Sequence, residues 1–391
     1  MGFYTGMTVE TVVVLALCFV QWRLASLANC KIKQYLKGRV AGFIRILVMV
    51  LAAALVAGLM LNLPNASHLR FSPSFFGVMR GVSLFWALLS TPIWLAWRAL
   101  RRRGQQDEPE LDSTRRAVLR TAGMLASAIP GAVLGFGVFV ERTAFRVREM
   151  DISIPGLNPD LDGLRLVQLS DIHLSPYLSE TEFARVVDAA NELRGHLVFV
   201  TGDLISMRGD PLDACLRQIS RLRSDAGIIG CLGNHEVYAG TEDYTTAQGA
   251  RLGIPFLRSQ SQQLRFGNAS MNIAGVDYQK MSAQPHYLRG AEHLIAPDTL
   301  NILLSHNPDV FPVAAKQGWD LTLAGHTHGG QVNVEILHHE INMARFYTPY
   351  VYGHYRSGKS SIYVTRGIGT IGMPARLGAP PEIAVLRLRQ A

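Results

Sequence analysis

Cysteine is scarce: four residues in a chain of 391, none in a C-x-x-C pair. A disulfide scaffold and a structural zinc knuckle are both excluded on that count. Cys18 and Cys30 lie in or beside an apolar stretch, while Cys215 and Cys231 read as two buried thiols rather than a bridge. Charge is also thin, 17% against 48% hydrophobic residues, a balance that suits a membrane part joined to a globular one. Acidic residues number 30 against 38 Lys and Arg, for a net charge of +8. That excess does not point to nucleic acid, and no such partner is expected. The basic residues gather beside apolar runs, where they set membrane orientation. Internal repeats and low-complexity tracts are missing too, so solenoids and disordered tails drop out.

Four apolar stretches precede residue 142. The first, 5–23, is interrupted by Glu10. The second, 46–63, is uncharged and close to the ~20 residues a helix needs to cross a ~30 Å hydrocarbon layer. Residues 75–97 carry Arg80 near one end, where it can snorkel. Trp86, Trp94 and Trp97 lie toward the other end, as an interfacial belt would. The last, 117–140, is rich in Gly and Ala. The length and low charge of the second and third argue against buried core helices. Residues 1–141 are therefore expected to be an all-α anchor of about four transmembrane helices in contact with the lipid bilayer.

The loops give an orientation. Lys31, Lys33, Lys37 and Arg39 lie between the first two stretches, and Arg70 alone between the next two. Arg98, Arg101, Arg102, Arg103, Arg115, Arg116 and Arg120 precede the fourth. The positive-inside tendency puts the first and third loops in the cytoplasm. The rest of the chain then lies outside a cytoplasmic (inner) membrane, on its periplasmic or extracellular side. The run Ser113-Thr114-Arg115-Arg116 before an apolar stretch also resembles a twin-arginine export signal, with Ala126-Ser127-Ala128 as a cleavage pattern. It reads equally as a dense positive-inside cluster. Both readings export the C-terminal half.

Residues 145–391 have ordinary globular composition. Strands are expected at 164–170, 197–201, 227–232, 271–274, 300–304, 321–323, 362–365 and 383–386. Helices are expected at 180–193, with Phe183, Val186, Val187 and Ala190 on one face, and at 211–222. Polar clusters follow the carboxyl ends of these strands, the edge at which layered α/β sheets assemble their sites.

Five clusters stand out: Asp171-x-His173, Gly202-Asp203, Gly233-Asn234-His235-Glu236, Ser305-His306-Asn307, and Gly325-His326-Thr327-His328-Gly329-Gly330. They hold five of the twelve histidines and no thiolate. Oxygen and imidazole donors without sulfur favour Mn, Fe, Zn or Ni. Each cluster alone is a weak signal; all five, each after an expected strand of one domain, make a strong one.

This order of motifs resembles the calcineurin-like metallophosphoesterase superfamily. Ser305-His306-Asn307-Pro308-Asp309 and the Gly325–Gln331 run look like its membrane-linked bacterial phosphodiesterase branch. The resemblance covers about 145–391 and implies a four-layer α/β/β/α sandwich holding two divalent metal ions, manganese first, with iron or zinc as alternatives. It also implies roles. Asp171, His173 and His328 would bind one ion, Asp203 would bridge, and Asn234, His306 and His326 would bind the other. His235 would face the substrate phosphate as the catalytic histidine. Two cations about 3.5–4 Å apart need a shared anionic ligand, and together they lower the pKa of a shared water for in-line attack on phosphorus. Glu236 reads as a residue that orients a ligand.

The activity so implied is hydrolysis of a phosphodiester or phosphoanhydride, on a phosphate ester of a lipid or envelope component. A phosphomonoesterase and a silent metal-binding scaffold are the alternatives; an intact ligand set with His235 present counts against the scaffold. A transporter would want polar groups inside the membrane segments, and Glu10, Arg45 and Arg80 all lie near segment ends. The aromatic run Phe346, Tyr347, Tyr350, Tyr352 and Tyr355 suits loop and strand packing, or a lipid or sugar contact. Arg366 suits an ion pair, or contact with an anionic substrate.

Overall fold

A computed structural model of the chain describes residues 2–61, 73–104, 129, 131–336 and 339–391. It divides into two units: residues up to Val138 with Gly372–Ala375, and Phe139–Ile371 with Arg376–Ala391.

In the first unit α1 (Gly2–Tyr35), α2 (Gly38–Met60) and α3 (Pro73–Gly104) are long helices. Among the described residues, three spans are long and apolar enough to cross a membrane: Thr11–Gln34, Gly38–Met60 and Met79–Ala96. The first two differ from expectation. No breaker follows Arg23, so α1 runs on past it and Glu10 falls outside the span. The turn to α2 is confined to Leu36 and Lys37, so Arg39 and Arg45 lie within a helix rather than in a loop. Apolar side chains face outward, among them Phe43, Ile46 and Val50 of α2. Polar groups tie α1 to α3 instead. Gln21 donates to Ser90 Oγ at 3.0 Å and accepts from Trp86 Nε1 at 2.8 Å. Where hydrocarbon surrounds the helices, such bonds and small residues hold a bundle together. Of the expected fourth segment, 117–128 and 130 lie outside the described residues. The described residues from Gly131 onward lie in α4 (Gly131–Glu141).

The second unit is built on two mixed sheets. One has the order β1-β13-β2-β3-β4, from Arg146–Ile154, Glu382–Gln390, Arg165–Leu169, Leu197–Thr201 and Ile228–Cys231. The other has the order β11-β12-β8-β7-β6-β5, from Gly353–Ser357, Ser360–Val364, Leu321–Ala324, Leu300–Leu304, Ala269–Gly275 and Gln260–Phe266. Strands β2, β3 and β4 are mutually parallel, as are β6, β7 and β8. A hairpin of β9 (Asn333–Ile336) and β10 (His339–Asn342) stands apart.

Alternation along each strand sorts the side chains into layers. Leu166, Phe199, Ile229, Met271, Ile302 and Leu323 fill the space between the sheets. Val167, Leu169, Val198 and Val200 point the other way, to α5 (Glu180–Glu192) and α6 (Leu212–Ile219). Beyond the second sheet, Ala274, Leu303 and Ala324 meet Phe311 and Ala314 of α9 (Phe311–Gln317) with Trp319. The result is α/β/β/α with a thin last layer. Gln168 crosses the inter-sheet core: it donates to Thr201 Oγ1 at 2.9 Å and to Ala324 O at 3.0 Å, pinning the second sheet to the first. Cys215 and Cys231 are buried free thiols.

A candidate dinuclear metal centre

Strand ends supply the site. Asp171 and His173 follow β2, and Asp203 follows β3. Asn234 and His235 follow β4 as the start of the short helix α7 (Asn234–Ala239). His306 follows β7; His326 and His328 follow β8. Every site residue expected from the sequence thus lies on the carboxyl edge of a parallel strand.

Directing these side chains to one point strains the backbone. Of ten described non-glycine residues with positive φ, five are Asp171 (50°), His173 (48°), Asp203 (56°), His326 (76°) and His328 (52°). Each such conformation costs on the order of 1–3 kcal/mol and persists only where its surroundings fix it. They do so here. Asp171 N donates to Gly202 O and His173 N to Asp203 O, both at 3.0 Å. His326 N donates to Asp171 Oδ1 at 2.9 Å. Glu236, fully buried, accepts from Asp203 N (2.9 Å), Leu204 N (2.7 Å) and Gly233 N (2.8 Å), clamping the β3 and β4 loops together. Two glycines permit the close approach. A methyl group at Gly325 would overlap Asp171 Oδ2, and one at Gly233 would overlap Asp203 Oδ1.

The donor atoms converge. His173 Nε2 and His328 Nε2 are 3.1 Å apart, and His328 Nε2 is 3.4 Å from Asp171 Oδ1. His306 Nε2 lies 3.0 Å from Asp203 Oδ2 but off the line of a hydrogen bond, and His173 Nε2 lies 3.5 Å from the same oxygen. Two groups therefore have ligand geometry, Asp171 with His173 and His328, and Asp203 with His306 and His326. A third joins His173, Asp203 and His235. Asn234 Oδ1 is buried with no hydrogen-bond partner, as an acceptor awaiting a cation would be.

The far nitrogens set the tautomers. His306 Nδ1 is 2.7 Å from Thr201 O and donates to it, which turns Nε2 toward the carboxylates. His173 Nδ1 faces Ser206 Oγ at 3.2 Å. His235 Nδ1 is 2.5 Å from Ser206 O, and its ring stands edge-on to His173 with centroids 4.7 Å apart. Burial pushes His173 and His328 well below the usual imidazole pKa, the second helped by Arg376, and burial brings His326 to about 4. Burial opposes the charged form of His306 as well, but the Asp203 and Asp171 carboxylates outweigh it and raise that pKa to about 10. Two carboxylates among mostly neutral imidazoles form a donor set that fits divalent cations.

Some residues of the site carry no sequence signal. Arg376 is fully buried behind His328, its Nη2 3.5 Å from Nδ1. Tyr278 sets its ring 5.5 Å from that of His326, and Tyr238 sets its ring 5.5 Å from that of His235. The aromatic run divides. Tyr350 packs edge-on against Phe311 and Tyr355, whereas Phe346 and Tyr347 are exposed.

Residues 164–330 match the family of calcineurin-like phosphoesterases. A transmembrane protein with metallophosphoesterase domain from Bos taurus is 30% identical over 313 residues, which are 76% of this chain and 67% of that protein. A metallophosphoesterase of Bacillus subtilis is 30% identical over 276 residues, 68% of this chain and 95% of the relative. One from Campylobacter jejuni is 29% identical over 255 residues, 62% and 63% of the two chains.

Proposed function

The chain belongs to the calcineurin-like metallophosphoesterases, and on that premise we propose that it hydrolyses a phosphodiester or phosphoanhydride at the outer face of the cytoplasmic membrane. Asp171, His173 and His328 would hold one divalent cation, Asn234, His306 and His326 the other, with Asp203 shared; manganese is the first choice. The observation that carries this reading is the convergence of ring nitrogens and carboxylate oxygens from strand ends of both sheets, 3.0–3.5 Å from one another. Two such cations supply a water of lowered pKa and neutralise charge on the phosphoryl oxygens.

The chain's own residues do the rest. Asp203 suits the shared position because His235 N donates to its Oδ1 at 2.8 Å, while Oδ2 faces His173 and His306. Thr201 O and Ser206 Oγ hold the rings of His306 and His173 so that Nε2 points inward. His235 has Nδ1 committed to Ser206 O, so Nε2 is the nitrogen left to give a proton to the leaving oxygen.

The test is turnover of a bis-aryl phosphodiester and an aryl phosphomonoester by the full chain in detergent, reconstituted with manganese. The diester should react faster. His235→Ala should lose about 10²–10⁴-fold in kcat, the range of general acid help. Asp203→Asn should be nearly inactive and hold less metal; wild-type rates in that variant would overturn the mechanism.

A further inference from the structure

Arg366 lies beside the cluster and takes no part in the chemistry above. Its stem rests on the backbone next to His328: a methyl group at Gly329 would fall 2.8 Å from Arg366 Cγ. Its carbonyl oxygen is held by Arg376 Nη2 at 2.9 Å, so the backbone on which it stands is fixed. The guanidinium lies over the Tyr352 ring, Cζ 4.1 Å from the centroid, and the side chain keeps 16% of its exposure.

What the guanidinium lacks is an acceptor. Arg366 Nε is buried with no hydrogen-bond partner. The carboxylate it faces, Glu382, comes no nearer than 4.0 Å, and its other oxygen already accepts from Tyr363 OH at 2.5 Å. A planar fork of N–H donors, stacked on an aromatic ring and short of acceptors, is built to grip an oxyanion by two parallel bonds. It stands outside the ligand groups, so the phosphoryl group under attack is not the one it would hold.

We propose that Arg366 on Tyr352 is a second anion subsite that takes the non-reacting phosphoryl group of a diphosphate, so that the bond cleaved is a phosphoanhydride. The inference rests on the phosphoesterase reading and narrows it. Water supplies the oxygen that bonds to one phosphorus, the bridging P–O bond breaks, and its electron pair leaves with the second phosphate. That phosphate is held at Arg366 and receives a proton from His235. The two protons of the water are released, one of them restoring His235.

The experiment uses the full chain in detergent, loaded with manganese, on an aryl diester of diphosphate and a bis-aryl monophosphate diester. Wild type should favour the diphosphate. Arg366→Gln should lower the ratio of the two kcat/KM values about 10- to 100-fold, mainly through KM, as loss of charge-assisted bonds does. Arg366→Lys should fall between. A ratio unchanged in Arg366→Gln, with both substrates turned over, would sink the subsite and leave the phosphoesterase intact. A second arm needs no turnover: calorimetric binding of a methylene-bridged bisphosphonate diester and of a simple phosphonate monoester. Arg366→Gln should weaken the first by tenfold or more and the second by less than threefold; equal effects on both would refute the subsite. A wild type that cleaves neither substrate would sink the hydrolase reading, while calorimetry would still decide the subsite.

Discussion

Burying a guanidinium without a carboxylate in contact costs several kcal/mol unless its N–H groups find acceptors. Arg376 meets that condition mainly with backbone carbonyls, and its Nη2 also faces His328 Nδ1 at 3.5 Å. It donates to Gly369 O at 3.1 Å, Ala379 O at 2.8 Å, Arg366 O at 2.9 Å, Gly367 O at 3.2 Å and His328 O at 3.4 Å. Burial still pulls its pKa down to about 10. One side chain thus ties the 366–369 loop, which carries the proposed anion subsite, to the His328 turn. Gly367 O and His328 O also accept from Glu382 N and Gln331 N, both at 3.0 Å, so Arg376→Met would leave the Gly369, Ala379 and Arg366 carbonyls without a donor, at about 1–3 kcal/mol for each that finds no substitute. Partial relaxation brings the expected loss to about 3 kcal/mol, or about 6–12 °C in the thermal midpoint of a domain this size. Arg376→Lys, with three donors, should recover part of it. An unchanged midpoint in Arg376→Met, measured in detergent, would show that the carbonyls are satisfied some other way.

At the scale of elements, the site depends on turns that leave a strand with almost no room. The turn after β8 brings Gly325 against Ser170 and Asp171, where a methyl group would collide with Ser170 Oγ. Gly325→Ala must push Asp171 or the His326 turn aside. Misplacement of about 1 Å is worth about 10²-fold in rate. We expect a kcat loss of that order with reduced metal occupancy, and wild-type kcat would show that the turn relaxes elsewhere. Such turns are why so much of the centre was legible in the sequence. A buried parallel strand is an unbroken apolar run, and the residue at its end is a Gly, Asp, Asn or His with little to do in a core. Leu197–Thr201 and Leu300–Leu304 coincide with their expected bounds because all five residues of each are buried. By contrast β1, with charges at Arg146, Arg148 and Glu149, and β5, reading QSQQLRF, are edge strands whose polar faces hide the apolar alternation. Arg376 was illegible for a related reason. Its role comes from carbonyls spread between residues 328 and 379, and no local pattern announces them.

For the whole molecule, the compartment of the catalytic unit turns on one count of crossings. If the N-terminus is outside, three crossings leave the chain beyond α3 in the cytoplasm, and a fourth returns it to the outside. The three described spans supply the first number. The described residues of α4, Gly131–Glu141, reach about 16 Å at 1.5 Å per residue, roughly half a hydrocarbon layer. A fourth crossing therefore needs the apolar residues from Ala117 onward, which follow Arg98, Arg101, Arg102, Arg103, Arg115 and Arg116. That cluster is the strongest topological signal in the chain, and by the positive-inside tendency it holds the loop after α3 in the cytoplasm. Paired fusions decide the matter. A reporter active only after export should be silent when fused at Gln106 and active at Ala391. Activity at neither position would place the phosphoesterase unit in the cytoplasm, and its substrate would then be one presented at the inner face. Activity at both would mean that the arginine cluster does not control insertion, and would overturn the orientation from its first loop.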